Sequence, residues 1–154
     1  MDAERAETRP PIIEVYRAII FNENGEILLG QRSVNDRWNP LSWEVPGGKR
    51  EPDQTPTAAL VSEILQETGL IIVPSRLIYE EEIFLTQGPR AGKTYKLQVC
   101  AARAAGGTFV RSKEHDDFCW ITPQKALTLE LTSQTRAALL AFLELKKPAS
   151  LRTT

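Results

Sequence analysis

The stretch WEVPGGKREPDQTPTAALVSEILQETGL, Trp43 to Leu70, decides how this chain is read. It opens on a short strand, Trp43-Glu44-Val45, broken by Pro46-Gly47-Gly48. A helix is then predicted from Thr55 to Thr68. Thr55 can cap its start, Pro56 suits the first helical position, and Gly69 suits the stop. At roughly 100° per residue, Leu60, Val61, Ile64, Leu65 and Thr68 fall on one side of it. Ser62, Glu63, Gln66 and Glu67 fall on the other. Glu63 and Glu67 are one turn apart, so their carboxylates project together. No Lys or Arg within the helix relieves that repulsion. A divalent cation would, because hard ions such as Mg²⁺ prefer carboxylate and carbonyl oxygens. For the helix alone, a solvated polar face is the competing explanation. The glycine pair just before it favours a metal–phosphate site, since glycine lets backbone approach a ligand closely.

Outward from this stretch, strands and helices interleave. Ile12 to Phe21 reads as a strand, Asn22 to Gly25 as a turn, and Glu26 to Gln31 as the returning arm of a hairpin. A loop rich in Asn, Arg and Trp spans Ser33 to Ser42. Val73 to Phe84 and Thr94 to Ala104 are two further strands, joined around Gly88-Pro89 and Gly92. Phe109 and Phe118 to Ile121 are shorter strand candidates. Pro123 to Leu127 suits one helical turn and Ser133 to Leu145 an amphipathic helix. This alternation predicts an α/β domain with a mixed sheet. One domain is expected over residues 1–154, with an ordered core of about 12–146 and tails at 1–11 and 148–154.

The 154 residues are 42% hydrophobic and 25% charged, which excludes a collagen-like or wholly disordered chain. Nineteen Lys+Arg against 20 Asp+Glu leave a net charge of −1, which argues against a dedicated nucleic-acid binder. No apolar run approaches the ~20 residues that cross a bilayer, so no membrane partner is expected. The N-terminus is charged and has no apolar signal core. Cys100 and Cys119 have neither zinc-site nor disulfide-framework spacing and read as reduced thiols. Together these features predict a cytoplasmic protein.

The segment from Gly48 to Leu70 resembles the signature of the Nudix (MutT-like) hydrolases. That signature reads G-x5-E-x7-R-E-U-x-E-E-x-G-U, with U a bulky aliphatic residue. Gly48, Glu63, Ile64, Glu67, Gly69 and Leu70 match it in register. The Trp-Glu-Val-Pro-Gly lead-in also looks like the family, as does the hairpin ending Ile27-Leu28-Leu29-Gly30-Gln31-Arg32. Glu114 to Ile121 resembles the acidic loop and Trp-containing strand before the last helix. The resemblance implies an α/β/α sandwich with a curled mixed sheet between helices.

Three positions depart from the signature. Gln54 and Gln66 stand where the family has Glu, and Ser62 where it has Arg. In the family the Arg lies near the first Glu, so losing both charges together is coherent, because removing one would strand the other. Gln66 is the larger change, since an amide oxygen coordinates without negative charge and weakens affinity for Mg²⁺.

Carried over position by position, the resemblance makes Glu67 a metal ligand and Glu63 a ligand or general base. It makes Gln66 a neutral ligand and Gly47 a donor of its carbonyl. Glu114 would complete the site from outside the signature, with Asp117 or Glu82 as substitutes. The ions expected are Mg²⁺ or Mn²⁺, which would neutralise a diphosphate and activate water.

Arg32 is a candidate for bidentate pairing with the diphosphate. Trp38 is a candidate for stacking on a nucleobase. The competing roles are a surface Arg and a loop-packing Trp. Glu80-Glu81-Glu82 reads as a strand edge or surface charge run. His115, the only histidine, reads as a surface residue among acids, with a catalytic role as the alternative.

The leading functional expectation is a pyrophosphohydrolase acting on a nucleoside diphosphate linked to another moiety. The second is a catalytically weakened domain that senses a nucleotide-type ligand. A third is another chemistry on the same fold, such as isomerisation or an RNA 5′-end reaction. The family resemblance also implies a homodimer as a partner state.

Overall fold

A computed structural model describes residues 11–110 and 115–151. Seven strands form one mixed sheet among these residues: β1 (Ile12–Phe21), β2 (Ile27–Arg32), β3 (Trp43–Glu44), β4 (Gly47–Lys49), β5 (Leu70–Phe84), β6 (Thr94–Gly107) and β7 (His115–Ile121). The order is β3-β2-β1-β6-β5, with β4 paired to β1 and β7 to β2. Among the described strand pairs β1 and β6 run parallel and the others antiparallel, and an isolated parallel bridge joins Trp43 to Leu131. Among the described residues three α-helices accompany the sheet: α1 (Pro56–Thr68), α2 (Pro123–Ala126) and α3 (Ser133–Lys146).

Alternation along β1 divides the core in two, because successive side chains of a strand point to opposite faces. Ile13, Val15 and Ile19 pack with Ala138, Leu139 and Phe142 of α3. Tyr16, Ala18 and Ile20 pack with Ala59, Leu60 and Ile64 of α1. The sheet thus lies between two helical layers, as the family resemblance implies.

Helix α1 starts and stops where the sequence predicts. Thr55 accepts a hydrogen bond from the Ala58 amide at 3.2 Å, and Gly69 ends the helix at φ 77°. That left-handed conformation suits glycine and lets its amide return to the Leu65 carbonyl. The expected two-faced split needs correction at its edges. Leu65 is exposed, Val61 is half-buried, and Glu67 is buried with Ala59, Leu60, Ile64 and Thr68. The helix is therefore rotated so that a carboxylate faces β4 at Gly47.

Other boundaries also move. β4 resumes directly at Gly47, where a break was expected, because Gly47, Gly48 and Lys49 pair with Arg17, Tyr16 and Val15 of β1. β5 begins at Leu70 rather than Val73 and follows β6 through three register shifts. Phe109 lies outside any strand; the neighbouring Val110 amide instead donates to the Thr68 carbonyl at the end of α1. Ala149–Leu151 form a 3-10 turn inside the expected C-terminal tail. Residues 1–10 and 152–154, the remainder of the expected tails, lie outside the described residues. Among the described residues no helix is long and apolar enough to cross a membrane.

Candidate active site

The two acidic residues of α1 meet the Gly47-Gly48 strand. The Gly47 amide donates to Glu67 Oε2 at 2.9 Å, and Glu67 is only 6% exposed. Glu63 is half-buried beside Gly48. A Cβ added at Gly48 would overlap Glu63 Oε2 and lie 2.8 Å from its Cδ. Hydrogen at this position is therefore what allows the carboxylate to approach the backbone. The sequence explains the juxtaposition: i, i+4 spacing aligns the carboxylates, and β4 pairing with β1 holds the glycines opposite them.

These residues fit a hard divalent cation. Mg²⁺ commonly takes one or two protein carboxylates and keeps several waters. Glu63 and Glu67 supply two carboxylates, and the glycine strand lies against them. Among the described residues there is no cluster of three or more His, Cys, Asp or Glu side chains able to hold a metal. Gln66 is exposed, and its amide nitrogen donates to Ser62 Oγ at 3.2 Å. The two substitutions in α1 thus hydrogen-bond to each other across one turn. Gln54, the third departure, accepts from the Glu51 amide at 3.3 Å in the turn before the helix.

The candidates outside the signature fare differently. Glu114 lies outside the described residues. Asp117 is exposed and accepts from the Phe118 amide at 2.8 Å. Glu82 is exposed on β5, which is the sheet edge, and neighbouring Glu80 pairs with Lys96 at 3.5 Å.

A second charged cluster adjoins the first, and the sequence reading missed its centre. Glu44 is buried on β3, with Arg32 Nη1 at 3.1 and 3.2 Å from its two oxygens. His115 Nε2 lies 3.0 Å from Oε2 and Arg17 Nη1 3.5 Å from Oε1. Burial alone would raise the Glu44 pKa. Arg17, the hydrogen bond from His115 and Arg32 outweigh it and hold the carboxyl at about 2. His115 is 5% exposed, against the surface position expected of it. Its strand pairs with β2 and carries the ring inward, where it meets Phe118 at 5.2 Å.

Arg17 links the clusters. It is the β1 residue paired with Gly47, and its Nη1 donates to the Val45 carbonyl at 2.9 Å. Burial acts against its charged form, but Glu44, Tyr95 and Glu67 prevail and push its pKa up. A signal for Arg17 was present in the sequence. It is a charge at an inward position, flanked at i ± 2 by Val15 and Ile19.

A cavity of about 540 Å³ opens beside this link. Arg17, Arg32, Trp38, Glu44, Arg90 and Tyr95 are among its lining residues. Glu63 and Glu67 are not, so the cavity meets the acidic helix through Arg17 and Gly47. Trp38 is 60% exposed at the cavity. Arg32 also lines it, with its donors already engaged by buried Glu44 and by Asp36 and the Trp38 carbonyl of the adjoining loop. Cys100 and Cys119 are free thiols with pKa values raised first by burial, which suits a packing role.

Comparison with known proteins agrees with this geometry. The NUDIX domain model matches residues 13–142. The chain is 33% identical over 135 residues to the CTP pyrophosphohydrolase of Escherichia coli, covering 88% of this chain and 94% of that protein. It is 29% identical over 128 residues to a MutT-like protein of Streptomyces ambofaciens, covering 81% and 74%. The crystal structure of a MutT protein from Methanosarcina mazei superposes with a TM-score of 0.74 at 30% identity, over 90% of this chain and 99% of that one. With its signature helix, glycine strand and sandwich architecture matched together, the chain belongs to the Nudix (MutT-like) hydrolase family.

Proposed function

We propose that this hydrolase is a divalent-metal-dependent pyrophosphohydrolase acting on a nucleoside diphosphate linked to another group, a nucleoside triphosphate included. The observation that carries the proposal is the meeting of Glu63 and Glu67 with the Gly47-Gly48 strand. Glu67, with one oxygen held by the Gly47 amide, is the principal ligand. Glu63 ligates or takes the proton of the attacking water. The Gly47 carbonyl, Gln66 and Glu114 are the further donors of the proposed set. A bound Mg²⁺ or Mn²⁺ supplies charge neutralisation at the diphosphate and lowers the pKa of water. The adjoining cavity accommodates the nucleoside portion. Kinship to a protein named a CTP pyrophosphohydrolase makes pyrimidine nucleoside triphosphates the first compounds to test.

The test is release of phosphoryl products from a panel of nucleoside diphosphate derivatives and triphosphates, with Mg²⁺, Mn²⁺ or EDTA. Metal-dependent release of a nucleoside monophosphate is expected. No turnover across the panel, with nucleotide binding retained, would support the second reading, a sensor domain. The Gln66–Ser62 bond favours that alternative, because it gives two of the three departures from the signature a structural partner.

Two variants probe the site. Gly48→Ala places a methyl group where the Glu63 carboxylate now lies. Turnover should fall by roughly 10- to 100-fold, as misplacing a reacting group by about 1 Å does. The thermal midpoint should move little; unchanged turnover would remove Glu63 from the reacting set. Gln66→Glu restores a charge at the exposed face of α1 and should tighten Mg²⁺ binding several-fold by titration calorimetry. Unchanged affinity would place Gln66 outside the ligand set.

A further inference from the structure

Trp38 presents an exposed indole on a backbone that is tied down from both sides. Its amide donates to Asp36 Oδ1 at 3.0 Å, and its carbonyl accepts from Arg32 Nε at 2.8 Å. Arg32 Nη2 closes the ring with Asp36 Oδ1 at 2.7 Å. Arg32 Nη1 anchors this brace to buried Glu44. All three nitrogens of the guanidinium are thus engaged inside the protein.

The same loop holds unfavourable backbone. Asn39 has φ 49° and Leu41 has φ 65°, on either side of Pro40. A positive φ is uncommon for a residue with a branched apolar side chain and persists only where surrounding contacts impose it. Here the Leu41 amide donates to the Arg32 carbonyl at 3.1 Å, and Gln31 Nε2 donates to the Leu41 carbonyl at 3.1 Å. Strain and bracing together maintain a Trp that is 60% exposed at the mouth of the cavity. A core-packing role would bury the ring. Gly88 of the 85–93 loop comes close to the ring, with an added Cβ 3.9 Å from Trp38 Cζ2.

We propose that Trp38 is a fixed stacking platform for the planar ring of a nucleobase, and that Arg32 is a positioning residue that holds it. Arg32 then contributes to substrate binding through Trp38 rather than by pairing with phosphate. This inference rests on the nucleotide-hydrolase reading for its ligand class, while its geometry is that of the loop alone.

The test combines kinetics with binding in the absence of metal. Trp38→Ala should raise KM by roughly tenfold or more, the scale of one lost base stack, with kcat changed less than about threefold. Trp38→Phe should recover most of the loss. Arg32→Lys keeps the charge but cannot fork to three partners, so KM should rise again. Asp36→Ala cuts the brace without touching Glu44 and should act likewise, which covers the case in which Arg32→Lys fails to fold. Each brace variant combined with Trp38→Ala should add little to Trp38→Ala alone, the coupling expected of residues that act through one another.

In EDTA, cytidine and adenosine 5′-monophosphates should quench tryptophan fluorescence in the wild type and much less in Trp38→Phe. KM and nucleotide affinity both within twofold of wild type in Trp38→Ala would overturn the platform. Full additivity of Arg32→Lys and Asp36→Ala with Trp38→Ala would overturn the positioning role. If the wild type hydrolyses nothing on the panel but Trp38-dependent quenching persists, the hydrolase reading falls and the platform stands.

Discussion

Glu67→Gln is expected to lower metal-dependent hydrolysis by roughly a thousandfold while leaving the protein folded. The magnitude follows from removing one of the two carboxylates that would hold the cation, which in turn would stabilise the charge developing on the diphosphate. Folding should survive because a Gln side-chain oxygen can still accept from the Gly47 amide, now at 2.9 Å from Glu67 Oε2. Glu67→Ala should lose the same activity and stability as well, since it leaves that buried amide unpaired, at about 1–3 kcal/mol. The pair of variants separates chemistry from scaffolding. Initial rates in Mg²⁺ and thermal midpoints measure the two effects. Glu67→Gln with near-wild-type rates would dismiss Glu67 as the principal ligand.

Glu44→Ala is expected to cost about 3–5 kcal/mol of stability, the scale for removing one partner of a buried ionic network. Arg17, Arg32 and His115 all converge on this carboxylate. The pH dependence follows from its pKa, lowered from 4.5 to about 2. A carboxyl whose folded pKa lies below its unfolded one contributes its full stabilisation above about pH 4.5. That contribution is lost as pH falls toward 2, and here amounts to roughly 3 kcal/mol. Urea midpoints of the wild type should therefore drop steeply between those pH values. Glu44→Gln should start lower at pH 7 and show a shallower acid loss. Parallel acid profiles for the two proteins would mean that the network does not hold Glu44 ionised.

Legibility in the sequence followed the range of the interactions. Helix α1 was readable because Thr55, Pro56 and Gly69 act on backbone within a few residues. The acidic pair was readable for the same reason, as i, i+4 spacing fixes its geometry. The fate of Glu67 was not. Its burial depends on β4 pairing with β1, a contact between residues about thirty positions apart. The charged cluster around Glu44 was further out of reach, because it joins Arg17 and Arg32 to His115 over long separations. His115 in particular looked solvated among Glu114, Asp116 and Asp117, yet β7 turns it toward β3. The anomalous inward Arg17 was the one local trace of that cluster.

The parallel pairing of β1 with β6 bears on how the molecule reaches this form. Its register joins Ile12 to Thr94 and Phe21 to Arg103, partners 82 residues apart. The hairpin and α1 can form from neighbouring residues, whereas this ladder requires closure of a long loop before any of its bonds are made. Arg17 and Tyr95, which line the cavity together, come from those two strands. The cavity therefore cannot exist until the β1–β6 ladder has closed, whereas the i, i+4 alignment of Glu63 and Glu67 is set within α1 alone.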